Sequence, residues 1–289
     1  MLRSRRLLVG LLVITACALA GVFGARWLVD RLSTPECVFV AAGQSVSLTP
    51  EQAANAATIA AVSVQRGLPP RAATIGLTTA IQESKLRNLR YGHADSQGLF
   101  QQRPSQGWGT VEQVTEPVYA SNAFYDALER VPGWQDGVVT VVAQEVQRSA
   151  FPDAYADHEW EGRVLASVLT GQEGSATQMG CDLDAPTAAG SAENLATKLR
   201  QQLGVADIVD AGSDAGTLTL ALDDGDHAWA VATWLVSHAE AEQVVSVQVA
   251  DQRWDRDRSP LTWRPAQHAA ADAADSQPSG RTTVVVELN

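Results

Sequence analysis

The stretch that decides the reading is residues 80–109, AIQESKLRNLRYGHADSQGLFQQRPSQGWG. It opens as the end of a helix: over 70–86, Ala73, Leu77, Ala80 and Ile81 fall at i, i+4, i+7 and i+8 on one apolar stripe. Glu83 lies three residues past Ala80, beside that stripe. A carboxylate there is partly desolvated, which raises its pKa and lets it hold a proton near neutral pH. Residues 90–110 carry four glycines and lose the helical period, so they read as turns or a short hairpin. Within them, Gly98 lets the backbone approach a ligand closely. Gln101 offers an amide to a hydroxyl or acetamide, and Trp108 offers a flat face for a pyranose ring. Asp95 has two readings: a second carboxylate across a cleft from Glu83, or a turn residue capping the Ser96-Gln97-Gly98 bend. Glu83 has a plain alternative too, an i, i+4 ion pair with Arg87 worth ~0.3–0.5 kcal/mol on a surface.

Outward from this stretch the chain is mainly helical. Thr49, Pro50 and Gln52 spell an N-cap, a first-turn proline and a capping-box partner for a helix over 49–66, stopped by Gly67. Further helices are expected over 117–130, 137–149 and 159–170. A Gly- and Pro-bearing segment, 181–192, marks a linker. Beyond it, helices near 191–202 and 226–241 alternate with strands near 205–210, 216–222, 244–250, 260–264 and 281–288, a small α+β unit over 193–289. Arg253–Arg258 reads as a charged hairpin tip, 266–280 as a flexible loop, and Asp223–Asp226 as a turn with an N-cap rather than a metal site. No spacing suggests a zinc or nucleotide site, and no cofactor is expected.

Residues 7–29 are apolar apart from Thr15 and Arg26, long enough to cross a ~30 Å hydrocarbon core. The preceding Arg3, Arg5 and Arg6 predict a cytoplasmic N-terminus and everything beyond residue 29 outside, with 30–48 as a juxtamembrane segment. Cleavage after Ala18-Leu19-Ala20, or lipidation at Ile14-Thr15-Ala16-Cys17, are the alternatives and place the chain on the same side. Residues 30–289 carry 17 basic and 33 acidic groups, net −16, which argues against nucleic acid as a partner. Two cysteines remain outside, Cys37 and Cys181, and an oxidising compartment predicts that they pair.

Glu83-Ser84, then Gly98-Leu99-Phe100-Gln101 fifteen residues after the glutamate, then Pro104, are similar to the signature of lytic transglycosylases: E-S, G-L-M-Q and a proline. Glu116-Pro117 followed by Asn122-Ala123-Phe124-Tyr125 resembles the family's next element. The likeness covers about residues 50–170. Where the family has Ala-Tyr-Asn, this chain has Gln144–Ser149 followed by Ala150–Tyr155, leaving Tyr155 or Tyr119 to orient the acid. The resemblance implies a lysozyme-like fold over 49–180 and a peptidoglycan strand as substrate. Glu83 is then the catalytic acid and base, and Ser84, Phe100 and Gln101 line the groove. The overall expectation is an α+β chain: an anchor, a lysozyme-like muralytic domain, and an accessory domain that docks an envelope partner. A catalytically silent glycan-binding or scaffold module is the alternative.

Overall fold

A computed structural model describes residues 21, 34–148, 152–172, 179–210, 216–257, 263–266 and 281–289. Among the described residues no helix is long and apolar enough to cross a membrane. The expected anchor, residues 7–29, lies outside the described residues except for Gly21, as does most of the 266–280 loop. The chain divides into Met1–Pro35 and Glu36–Asn289, and the second unit holds both the helical and the sheet-rich parts.

That unit begins with two strands where a juxtamembrane segment was expected. β1 (Glu36–Ala41) and β2 (Gln44–Leu48) form a hairpin, and β3 (Met179–Asp182) adds to the other side of β1. The alternation Cys37, Phe39, Ala41 turns one face of β1 inward, as period-2 geometry requires. β3 falls at the start of the expected linker and brings Cys181 directly opposite Cys37, and the two are disulfide-bonded.

Between these strands lie the helices: α1 (Pro50–Gln65), α2 (Pro70–Ser84), α3 (Val111–Val114), α4 (Pro117–Leu128), α5 (Val139–Gln147) and α6 (Glu159–Leu169). Short 3-10 turns occupy Pro104–Gln106 and Pro152–His158. α1 starts with the expected capping box, the Thr49 side chain accepting from the Gln52 N–H and the Gln52 side chain accepting from the Thr49 N–H. α2 is central and buried from Ala72 to Ile81. α6 crosses it very closely at Gly162, where a Cβ would stand 2.2 Å from Thr78 Oγ1 and 3.0 Å from Thr74 O. Only a residue without a side chain permits that approach.

The C-terminal part comprises α7 (Ala192–Leu203), β4 (Ile208–Asp210), β5 (Thr217–Leu222), α8 (Gly225–Ser237), α9 (Ala239–Glu242), β6 (Val244–Val249), β7 (Gln252–Asp255), β8 (Trp263–Pro265) and β9 (Thr282–Leu288). Its sheet runs β4-β5-β9-β6-β7-β8, antiparallel throughout. Leu218, Leu220, Val284, Val286, Val247 and Val249 form its buried face. α8 is buried nearly all round because it lies between this sheet and α1. Trp234 Nε1 donates to Gln202 Oε1 (2.9 Å), and His238 Nε2 meets Thr58 Oγ1 (3.3 Å), so a side chain of α1 bonds into the C-terminal part. The helical and sheet-rich parts share one hydrophobic core. Of the expected 253–258 tip, Arg253–Asp255 lie within β7, where Trp254 is fully buried and Arg253 reaches Asp255 (2.7 Å) and Glu287 (2.8 Å); Arg258 lies outside the described residues.

Candidate active site

Glu83 occupies the last turn of α2. The helix ends in two consecutive left-handed residues, Lys85 (φ 55°) and Leu86 (φ 58°). Side chains of α1 secure that turn. Gln52 Nε2 donates to Lys85 O (2.8 Å) and Asn55 Nδ2 donates to Leu86 O (2.8 Å). The capping-box glutamine of one helix therefore also fixes the end of the next.

The Gly98–Gln101 loop is clamped beneath. Gln97 and Gln102 exchange two backbone hydrogen bonds of 3.0 Å, and Gly98 N donates to Leu89 O (2.7 Å). Gly98 sits at φ 78°, and a Cβ on it would lie 2.0 Å from Val114 O, so glycine serves loop packing here. Ser84 and Phe100 correct an expectation. Ser84 is buried and its hydroxyl donates to Leu99 O (2.7 Å). Phe100 is fully buried and stacks on Phe124 with centroids 4.6 Å apart. Neither lines an open groove; both tie the loop to the core. Gln101, at φ 47°, turns its amide back on its own loop, accepting from Ser96 Oγ (3.1 Å) and donating to Gly98 O (3.2 Å).

Asp95 is likewise committed. Its carboxylate accepts from Arg103 Nε (2.9 Å), Ser105 N (2.8 Å) and Ser105 Oγ (2.9 Å). The Arg103 guanidinium, followed by the Ser105 N–H, holds it well below the usual carboxylate range. Asp95 thus braces the 95–105 loop through Arg103 and Ser105 rather than by capping the Ser96-Gln97-Gly98 bend.

The Glu83 carboxylate behaves oppositely. Burial pushes its pKa up, against hydrogen bonds from Tyr155 and Gln147 that pull it down, and burial prevails. Tyr155 Oη donates to Glu83 Oε1 at 2.6 Å. Arg87 is not among its partners. Gln147, at the end of α5, also donates from Nε2 to Phe100 O (2.7 Å). One amide therefore joins the glutamate, the loop and α5. Of the two tyrosines weighed from sequence, Tyr155 is the one on the acid.

Tyr155 and His158 are three residues apart on the 3-10 turn and so share a face. His158 Nε2 lies 2.9 Å from Lys85 Nζ, and Nδ1 lies 2.6 Å from Glu161 Oε2. With the ammonium donating to Nε2, Nδ1 carries the proton that Glu161 accepts. This Lys85–His158–Glu161 chain fastens the Tyr155 turn to the glutamate's helix. Its only sequence signal was the His158/Glu161 i, i+3 spacing at a helix start.

Beside Gln147 opens a cavity of about 830 Å³, walled in part by Trp108, Tyr119, Arg130, Glu145 and Arg148. Trp108 is half-buried and packs partly on the core. Among the described residues no cluster of three or more His, Cys, Asp or Glu side chains is placed to hold a metal ion. Asp224 caps α8, accepting from Asp226 N (3.1 Å). Neither a protein-family model nor a curated protein sequence matches this chain.

Proposed function

We propose that the protein is a muralytic enzyme that cleaves the β-1,4 bond between N-acetylmuramic acid and N-acetylglucosamine, with Glu83 as its single catalytic carboxylate. The observation that carries this reading is the Glu83 environment: a half-buried carboxyl of raised pKa, held by Tyr155 and by Gln147, whose side chain also lines a cavity of about 830 Å³. A protonated glutamate donates its proton to the glycosidic oxygen as the C1–O bond of the muramic acid breaks. The resulting carboxylate then takes the proton of the sugar's own 6-hydroxyl, and O6 bonds to C1, giving a 1,6-anhydro end. The glutamate finishes protonated, ready for the next bond.

Two features support this reading, of which the first favours the anhydro route over hydrolysis and the second the acid role itself. Asp95, the candidate second carboxylate, is engaged by Arg103 and Ser105. Tyr155 supplies the orienting hydroxyl that the missing Ala-Tyr-Asn motif would have carried. The apolar stretch 7–29 anchors the chain in the membrane with the catalytic part outside, where the Cys37–Cys181 disulfide persists. Release of soluble muropeptides from purified peptidoglycan tests the role of Glu83. Glu83→Gln keeps the size and the polar contacts but holds no transferable proton, so release is expected to fall by at least ~10²-fold, the scale of a general acid. Undiminished release by the variant overturns the reading.

A further inference from the structure

Glu83 is not part of the cavity wall; Gln147 is, and Gln147 also holds the glutamate. An occupant of the cavity therefore sits beside the group at Glu83, one side chain away. At about 830 Å³ the cavity lies near the top of the ~300–1,000 Å³ range of small-ligand sites.

Its charges are unlike those a neutral sugar needs. Arg148 and Glu145 are exposed, and neither side chain has a hydrogen-bonding or ionic partner among the described residues. Arg130 uses its Nε on the Asp126 carbonyl (2.8 Å) and, among the described residues, pairs with no carboxylate. Two guanidinium groups and two carboxylates thus line the same space; Asp126 is already paired with Arg66 (2.7 Å), which leaves Glu145 as the uncompensated carboxylate beside Trp108 and Tyr119. Arg148 is also held at φ 52°, ψ 41°, as the C-cap of α5, where glycine is the low-energy choice.

We propose that this cavity binds the peptide side chain of the glycan: a short zwitterionic peptide, its carboxylates on Arg130 and Arg148 and its amine on Glu145. The inference rests on the muralytic reading of Glu83 for what the peptide is attached to. Pyranose rings and acetamido groups have no charges to match these three residues. A peptide branching from the sugar at Glu83 carries both signs and would enter past Gln147. The enzyme would then discriminate peptide-bearing strands from bare ones.

The test uses the full chain, with Arg148→Gly as the principal variant because glycine suits φ 52° and leaves the fold intact. The Glu83→Gln protein is titrated calorimetrically with the synthetic tetrapeptide L-Ala-γ-D-Glu-L-Lys-D-Ala, with a neutral chitin oligosaccharide as control. Saturable, salt-weakened peptide binding that drops about tenfold on adding Arg148→Gly, at unchanged melting temperature, is expected for one lost charge-assisted bond. In parallel, kcat/KM is compared on intact peptidoglycan and on strands stripped of peptide by an amidase. The wild type is expected to favour intact strands, and Arg148→Gly to pull the ratio toward one. Absent peptide binding, equal binding by the variant, or displacement of the peptide by the neutral oligosaccharide each overturns the site. A wild type that cuts neither substrate yet binds the peptide overturns the catalytic reading and leaves the site standing. Cutting without peptide binding does the reverse.

Discussion

Replacing Tyr155 with Phe removes one hydroxyl and little else, since the ring is fully buried. That hydroxyl donates to Glu83 Oε1 at 2.6 Å. A hydrogen bond to a charged group is worth ~1.5–3 kcal/mol, and for a half-exposed carboxylate the lower end applies. At 1.36 kcal/mol per pKa unit, losing about 1.5 kcal/mol from the ionised form raises the Glu83 pKa by about one unit. The sign follows from which form is favoured: the bond stabilises the carboxylate, so without it the proton is held to higher pH. If protonated Glu83 is the form that attacks the glycosidic oxygen, the alkaline limb of kcat/KM against pH moves up by about one unit in Tyr155→Phe. The plateau falls at the same time, because the carboxyl is less well aimed. The assay is muropeptide release at limiting peptidoglycan over a pH series, with direct titration of the Glu83 carboxyl by carbon NMR alongside. An alkaline limb that stays in place or moves down, with Tyr155→Phe folded, refutes the assignment of Tyr155 and of the acid form.

Other consequences follow from the same geometry. Because burial raises the Glu83 pKa in the folded state, its stabilising contribution is complete below the unfolded pKa and is lost as pH rises through the folded one. Glu83→Gln is therefore expected to melt higher than wild type at pH 7, with the difference shrinking toward pH 4 in calorimetry; a gain larger at pH 4 contradicts this. Gly162→Ala drives a methyl against Thr78 Oγ1 and the Thr74 carbonyl, so urea unfolding should show a loss of ~1–3 kcal/mol with reduced activity, and an unaltered midpoint refutes the close crossing. Reducing Cys37–Cys181 opens a closure of 144 residues and should cost about 5 kcal/mol by chain entropy, read as a lower denaturation midpoint in dithiothreitol. Asp95→Asn is expected to loosen the 95–105 loop and to lower muropeptide release far less than Glu83→Gln, with the products unchanged in mass; a loss as large as that of Glu83→Gln contradicts this.

Local chemistry was legible in the sequence wherever both partners lie close together in the chain. The Thr49, Pro50, Gln52 start of α1 could be read because a capping box spans three residues. Glu83 stood out because it lies three residues past Ala80, beside the apolar stripe, and fifteen residues before the Gly98–Gln101 run. The β1–β2–β3 sheet was not legible: β1 is six residues long, β3 is four, and they meet only because Cys181 returns across 144 residues. The roles of Ser84 and Phe100 were misread for a related reason. The motif tells that they sit at the site, but only packing against Leu99 and Phe124 tells that they face inward. Gln147 carried no signal in the sequence, because one of its partners is a backbone carbonyl 47 residues away. The buried Trp254 hid in a charged run, because alternate residues of a strand face opposite sides and its neighbours Arg253 and Asp255 took the outer one.

The central claim is that Glu83 alone carries out both proton transfers, and mass spectrometry of the products addresses it most directly. Peptidoglycan is digested with the purified full chain and with Glu83→Gln, and the released muropeptides are weighed. The account predicts anhydro-ended muropeptides, each lighter by one water (~18 Da) than the hydrolysis product, from the wild type and none from the variant. Reducing ends with water added would contradict the single-glutamate mechanism. Release that survives in Glu83→Gln would contradict the site itself.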